Sequence, residues 1–279
     1  MKILILGARG MLGHDLVEEF KEYDPVLWDR EELDITDKKK TLELIQELKP
    51  EFIINAAAYT DVDGAEDNEE LANLINATAV KHVAAAAREV GATLIHISTE
   101  YVFDGSDQEG YDEDSKPNPL SAYGRSKYKG EMELLTSGCS YYLVRTSWLY
   151  GKAPQMGKPR GKNFIDTILE NAEAGNELKV VNDQYGRPTY ARDLARVIRE
   201  LLTLKPASGI FHVVNEGETT WYGLAVAALR EKGIHVKIEP CVSSEYPAKA
   251  VRPKYSLLNN NKLPKLRDWQ EALSEYLTA

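Results

Sequence analysis

Residues Lys2–Gly13 read KILILGARGMLG. Lys2 to Leu6, KILIL, reads as a buried strand, its apolar run suited to cover on both faces. Gly7, Gly10 and Gly13 follow at once, with the spacing G-x-x-G-x-x-G, and helical periodicity runs from Met11 to Phe20. A strand that turns into a helix through three glycines has three separate needs. One glycine permits the tight turn, one lets backbone approach a ligand closely, and one lets the helix pack tightly on the strand. The first turn of such a helix offers free N–H groups and a positive dipole end to a pyrophosphate. A turn that merely needs glycines is the plain alternative. Its position after the first strand favours a dinucleotide site.

Outward from this turn, apolar runs and helical patterns alternate. Strands are expected at Pro25–Asp29, Glu51–Asn55, Ala92–Ser98 and Tyr141–Ser147. Helices are expected at Asp37–Leu48, Leu71–Val90 and Tyr123–Thr136. Alternation of this kind predicts an α/β fold, a doubly wound parallel sheet of Rossmann type. Residues 1–150 would form the dinucleotide-binding domain. Residues 151–279 would form mainly a smaller α/β substrate lobe, with a soft boundary and segments free to return to the first domain. The loop GKAPQMGKPRGKN before Phe164 is rich in Gly, Pro and Lys, and its end, PRGKN, suggests a lid over a nucleotide.

Composition narrows the function. The 279 residues carry a net charge of -10 and 43% hydrophobic residues, which allows a large core and disfavours nucleic acid as a partner. Two cysteines give no disulfide framework, and five scattered histidines show no metal-ligand spacing, so no metal is expected. No apolar stretch approaches the length of a membrane span, and the N-terminal run is short for a signal peptide. The expected setting is soluble and cytoplasmic, with no membrane partner.

Several motifs carry chemistry. Asp29 ends the second expected strand, where a carboxylate can bond a ribose hydroxyl. Arg30 beside it and Arg9 in the glycine turn offer guanidinium groups to a 2′-phosphate. The two signals conflict, so NADPH or NADH is expected with a slight lean to NADPH. In SAYGRSKYKG (Ser121–Gly130), Tyr123 and Lys127 stand four apart and share one helix face. With 15 tyrosines in the chain, such a pair is expected about once by chance. Context, not spacing, gives it weight.

That context includes INAAAYTDVDGAED, INATAV, HISTEYVFDG, RTSWLYG, VNDQYGRPT and PAKAVRPKYSLL. With GARGMLG and SAYGRSK these segments, spanning the whole chain, closely resemble the dTDP-4-dehydrorhamnose reductase family of extended short-chain dehydrogenase/reductases. The resemblance implies NAD(P)H-dependent reduction of the 4-keto group of dTDP-4-dehydro-6-deoxy-L-mannose to dTDP-L-rhamnose. It implies a catalytic set of Thr99, Tyr123 and Lys127. It implies cofactor contacts at Gly10, Met11, Leu12, Asp29, Asp34, Ile35, Ala58, Tyr59, Thr60, Ile97, Tyr123 and Lys127, with Thr99, Glu100 and Trp148 meeting the nucleotide sugar. Its members are often homodimers. The family usually has Asp after the catalytic Thr, and this chain has Glu100.

The chemistry of the set can be stated. Ketone reduction needs a hydride on one face and a proton at the oxygen. A phenol is a feeble participant near neutral pH, and Lys127 is expected to lower the Tyr123 pKa while reaching a ribose. Thr99, at the carboxyl end of a strand, can hold the substrate oxygen, with Ser98 as its competitor on the opposite face. Trp148 can stack on a sugar or base. Arg187, Lys249 and Arg252 can neutralise a diphosphate, and Asn163 closes the lid segment. Two other readings stay open. One is a non-catalytic, dinucleotide-binding regulatory subunit like the β subunit of methionine adenosyltransferase. The other is a nucleotide-sugar epimerase or dehydratase using Glu100.

Overall fold

Six strands build one sheet in the computed structural model, which describes residues 1–156 and 161–278. They are β1 (Ile3–Leu6), β2 (Val26–Trp28), β3 (Phe52–Asn55), β4 (Thr93–Thr99), β5 (Ser140–Thr146) and β6 (Gly209–His212). Their order is β6-β5-β4-β3-β1-β2 and every pairing is parallel. The chain leaves β1 towards β2 on one side and β3 on the other. That reversal opens a crevice at the carboxyl ends of the strands, where open α/β sheets bind ligands.

The alternation of strand side chains sends β1 into two cores. Ile3 and Ile5 pack with α1 (Met11–Phe20). Leu4 and Leu6 face the other layer, against α2 (Lys38–Leu48) and α3 (Ala79–Val90). The helix α4 (Ala122–Leu135) contributes Leu134 to that second layer. Ser121 caps α4, its side chain accepting the Gly124 N–H at 3.1 Å, a contact worth about 1 kcal/mol. Pro117 and Pro119 keep the preceding chain out of helix.

The second half supplies part of the first layer. From it come α5 (Ala191–Leu204), which packs in the α1 core, and β6, which pairs with β5 at the sheet edge. The rest forms its own layers: helices at Phe164–Glu173, Trp221–Glu231 and Trp269–Thr278, and a parallel pair, Leu178–Val181 with Ile238–Cys241. Ile165, Leu224, Ala228 and Leu273 anchor one core there, and Ile168, Val180 and Leu229 a second.

One expected helix is different. The stretch Leu71–Val90 is not continuous: Glu69–Asn73 is followed by a wider turn of π type at Leu74–Thr78 and then by α3. Such turns cluster at functional sites, and here the turn carries Asn76. Within the expected lid segment, Pro159 and Arg160 lie outside the described residues. Among the described residues, no helix is long and apolar enough to cross a membrane, and no group of three His, Cys, Asp or Glu could hold a metal.

Candidate active site

A cleft of about 1510 Å³ runs across the carboxyl ends of β1, β3, β4 and β5 and under the second half of the chain. Pockets for one drug-sized ligand measure roughly 300–1,000 Å³, so there is room for two ligands side by side. Every site residue expected from the sequence borders this cleft except Arg9 and Arg187.

The glycine turn forms one end. Gly7 has φ +77°, and a Cβ there would lie 2.8 Å from the Ala57 nitrogen. A Cβ on Gly13 would lie 2.1 Å from the Gly7 carbonyl oxygen. The first glycine makes the turn and the last brings α1 onto it. Gly10 caps α1 without a side-chain bond, and no acidic residue stands in the first turn. The N–H groups of that turn and the dipole end remain free for an anion. Backbone this close to the cleft fits a pyrophosphate.

Asp29 lies just past β2. Its carboxylate accepts the Arg9 backbone N–H at 3.0 Å and the Arg30 N–H at 2.9 Å. The Arg9 guanidinium is held by Glu31 at 2.7 Å and by Glu32, and it does not border the cleft. Arg30 does border it, 3.6 Å from Asp34. Both arginines therefore answer to neighbouring carboxylates, which the sequence reading did not anticipate. Asp34 accepts the N–H and hydroxyl of Thr36, and these bonds hold its carboxyl below the usual range.

The loop after β3 is held by Asn76. Its Oδ1 accepts the Tyr59 N–H at 2.8 Å and its Nδ2 donates to the Tyr59 carbonyl at 3.0 Å. The same Nδ2 reaches Ser126 Oγ at 2.9 Å, and that hydroxyl donates to the Tyr123 carbonyl. One amide thus ties the Ala58–Thr60 loop to the helix bearing Tyr123. The sequence reading missed it.

At the centre, β4 ends in Ser98 and Thr99, which divide as alternation demands. Ser98 donates to Glu131 at 2.6 Å, and Thr99 donates to Glu100 Oε2 at 2.6 Å. Burial lifts the Glu100 carboxyl to about 7, against the Thr99 bond and the backbone N–H groups of Glu100 and Trp148. The Tyr123 phenol is partly covered by surface area, but its hydroxyl lies deep. Burial raises its pKa above the ordinary range, Glu100 and Tyr101 add to that, and the Thr99 hydroxyl acts the other way. Tyr101 crosses it edge-on, with ring centres 5.4 Å apart.

Lys127 is buried and donates its Nζ to the Ile97 carbonyl at 2.7 Å. Burial draws it down to about 8, opposed by Glu131. The expected lowering of Tyr123 by this ammonium is not what the geometry gives. The shared helix face brings Lys127 to the strand, and burial governs the phenol. Behind it, Arg145 grips Glu131 with two bonds, at 2.9 and 2.7 Å.

The far wall comes from the second half. Trp148 holds a left-handed backbone, φ +45°, and stacks on Trp221 at 3.6 Å between ring centres. A non-glycine residue held there costs of order 1–3 kcal/mol and points to function. Arg252 bonds Asp63 through two contacts, at 3.2 and 2.7 Å, and Lys249 pairs with Asp67. Asn163 borders the cleft, but its Nδ2 donates to the Gly151 carbonyl, Asp166 and the Tyr276 hydroxyl, and its Oδ1 caps the next helix. Arg187 donates to the Leu258 carbonyl at 3.0 Å, away from the cleft.

A hydroxyl pair and a buried lysine beside a glycine turn, at the switch point of a parallel sheet, define an oxidoreductase of the extended short-chain dehydrogenase/reductase class. Within that class the chain belongs to the family of the RmlD substrate binding domain, whose sequence model matches residues 1–279. It is similar to a dTDP-4-dehydrorhamnose reductase structure from Clostridium acetobutylicum, with 42% identity, TM-score 0.93, and 99% and 98% of the two chains covered. A dTDP-4-dehydrorhamnose reductase from Bacillus anthracis, solved in complex with NADP, matches at 39% identity and TM-score 0.93, over 99% and 98%. The dTDP-4-dehydrorhamnose reductase of Burkholderia thailandensis is 36% identical over 98% of this chain and 97% of its own.

Proposed function

We propose that this chain reduces the 4-keto group of dTDP-4-dehydro-6-deoxy-L-mannose, giving dTDP-L-rhamnose, with Tyr123 as proton donor. The reading is carried by the convergence of Thr99, Tyr123 and Lys127 at the centre of a cleft that begins at the glycine turn. Bound NADPH or NADH supplies the hydride. The first turn of α1, around Met11 and Leu12, would hold its pyrophosphate, and Asp29 its adenosine ribose. Gly7, Gly13 and the uncapped α1 support that fit. Lys127 would anchor the nicotinamide ribose.

The chain's own groups then do three things. Thr99 and Tyr123 hold the substrate oxygen between two hydroxyls. Tyr123 keeps its proton at rest because its phenolate is disfavoured by burial and by Glu100, and it releases that proton when an alkoxide forms beside it. Trp148 and Trp221 offer an aromatic wall to the sugar or base, and Arg252 with Lys249 offers positive charge at the diphosphate end. The intact hydroxyl and lysine set favours an enzyme over a regulatory dinucleotide-binding subunit.

The test is turnover of purified protein with dTDP-4-dehydro-6-deoxy-L-mannose and either NADPH or NADH, followed by cofactor oxidation and product mass. Oxidation is expected with both. No oxidation by folded protein would reject the reading. Tyr123→Phe should lower kcat by at least ~10²-fold, and near-normal turnover in that variant would remove Tyr123 from the chemistry.

A further inference from the structure

Glu100 is a buried carboxyl, 4% exposed, on the cleft side of β4. Among the described residues, no lysine or arginine pairs with it within salt-bridge distance. Its neighbours from each packed element are few. Thr99 Oγ1 touches it at 2.6 Å. The Trp148 N–H, after β5, supports it from the next strand. The phenols of Tyr123, on α4, and Tyr101 complete its surroundings, and Arg252 acts on Tyr101 while bonded to Asp63. Lys127 is turned to the Ile97 carbonyl. The Thr99 hydroxyl therefore stands between one phenol and one carboxyl.

Resting on the reductase reading, we propose that Glu100 is the proton store that recharges Tyr123 through Thr99. Tyr123 gives its proton to the substrate oxygen and becomes a phenolate. The Glu100 O–H bond then breaks and its proton goes to Thr99 Oγ1. The Thr99 O–H bond breaks in turn, and that proton forms the new O–H of Tyr123. The negative charge moves from phenolate to carboxylate, nothing is oxidised or reduced, and a solvent proton restores the acid.

The direction of transfer follows from the surroundings. A buried phenolate beside a carboxyl is a strong base, while the carboxyl titrates at about 7. The two groups repel when both are ionised, so the proton settles on the phenol. Burial keeps Glu100 protonated in part near neutral pH, where the store must be filled.

The experiment is the pH dependence of kcat with saturating ketosugar and NADPH. For the wild type, kcat is expected to fall as pH rises through about 7, as the store empties. Glu100→Gln keeps the shape but carries no transferable proton. Its kcat is expected to fall at least ~10-fold and its limb near neutral pH to vanish. Glu100→Asp, which retains a carboxyl, is expected to keep a limb. The proposal is overturned if Glu100→Gln keeps both rate and limb. It is equally overturned if its rate drops with the limb unchanged, because the residue then only shapes the site. Failure of the reductase reading looks different: no turnover in the wild type, or full turnover in Tyr123→Phe.

Discussion

Two carboxyls meet the end of β4 from opposite sides. Ser98 donates to Glu131 and Thr99 to Glu100, each at 2.6 Å. Both acids are buried, at 0% and 4% exposure. Glu131 faces the guanidinium of Arg145, itself 2% exposed, in a two-pronged ion pair. Glu100 has phenols and N–H groups instead. The difference teaches that depth alone does not assign a role. A buried carboxyl with a counter-charge becomes part of the frame, and one without it becomes a titrating group.

The largest expected effect breaks the frame side. Glu131→Gln leaves the Arg145 charge buried and unpaired, which should cost about 3–5 kcal/mol of stability, read from the urea midpoint. Replacing both partners by Leu and Met should recover most of that loss. A small loss in the single variant would make the pair incidental.

Next comes the titrating side. Glu100 binds its proton more tightly in the folded chain, with a value of about 7 against an ordinary 4.5. Its stabilising contribution is therefore complete below the unfolded value and is lost as pH rises through the folded one. At about 1.4 kcal/mol per unit, Glu100→Gln should gain about 2–3 kcal/mol on the wild type between pH ~4.5 and pH ~8. Denaturation midpoints at the two pH values check this. A constant difference would mean that folding leaves the titration of Glu100 unshifted.

The smallest effect separates the two hydroxyls. Ser98→Ala removes one bond to a buried charged group and should cost about 1.5–3 kcal/mol, with kcat within ~3-fold of wild type. Thr99→Ala should instead act on kcat, by at least ~10-fold, with a smaller change in midpoint. Equal profiles for the two variants would erase the distinction between the faces.

Local signals were legible in the sequence, and direction in space was not. The apolar run, the glycines and the spacing of Tyr123 and Lys127 are fixed by neighbours in the chain, and the glycines, Tyr123 and Lys127 line one cleft. The charge of Arg187 was visible, but its engagement by Leu258, seventy-one positions away, was not. Arg9 read as a free cation because nothing local reveals that Glu31 and Glu32 fold back onto it. Glu131, four residues after Lys127, carries no local sign of its partner: Arg145 reaches it from β5. The effect of Lys127 on Tyr123 was misjudged for a related reason: a common helix face sets where two side chains start, not where their charged atoms end.

The wide turn at Leu74–Thr78 has a consequence for the lengths that the chain can tolerate. An α-helix rotates by roughly 100° per residue, so removing one residue there would regularise the helix and swing one flank around its axis. Asn76 would then lose its aim at Tyr59 and Ser126. The irregularity is a phase correction: one surplus residue lets the segment before it and α3 after it each satisfy its own neighbours. Deletions that an exposed helix end would absorb should be rejected at this position.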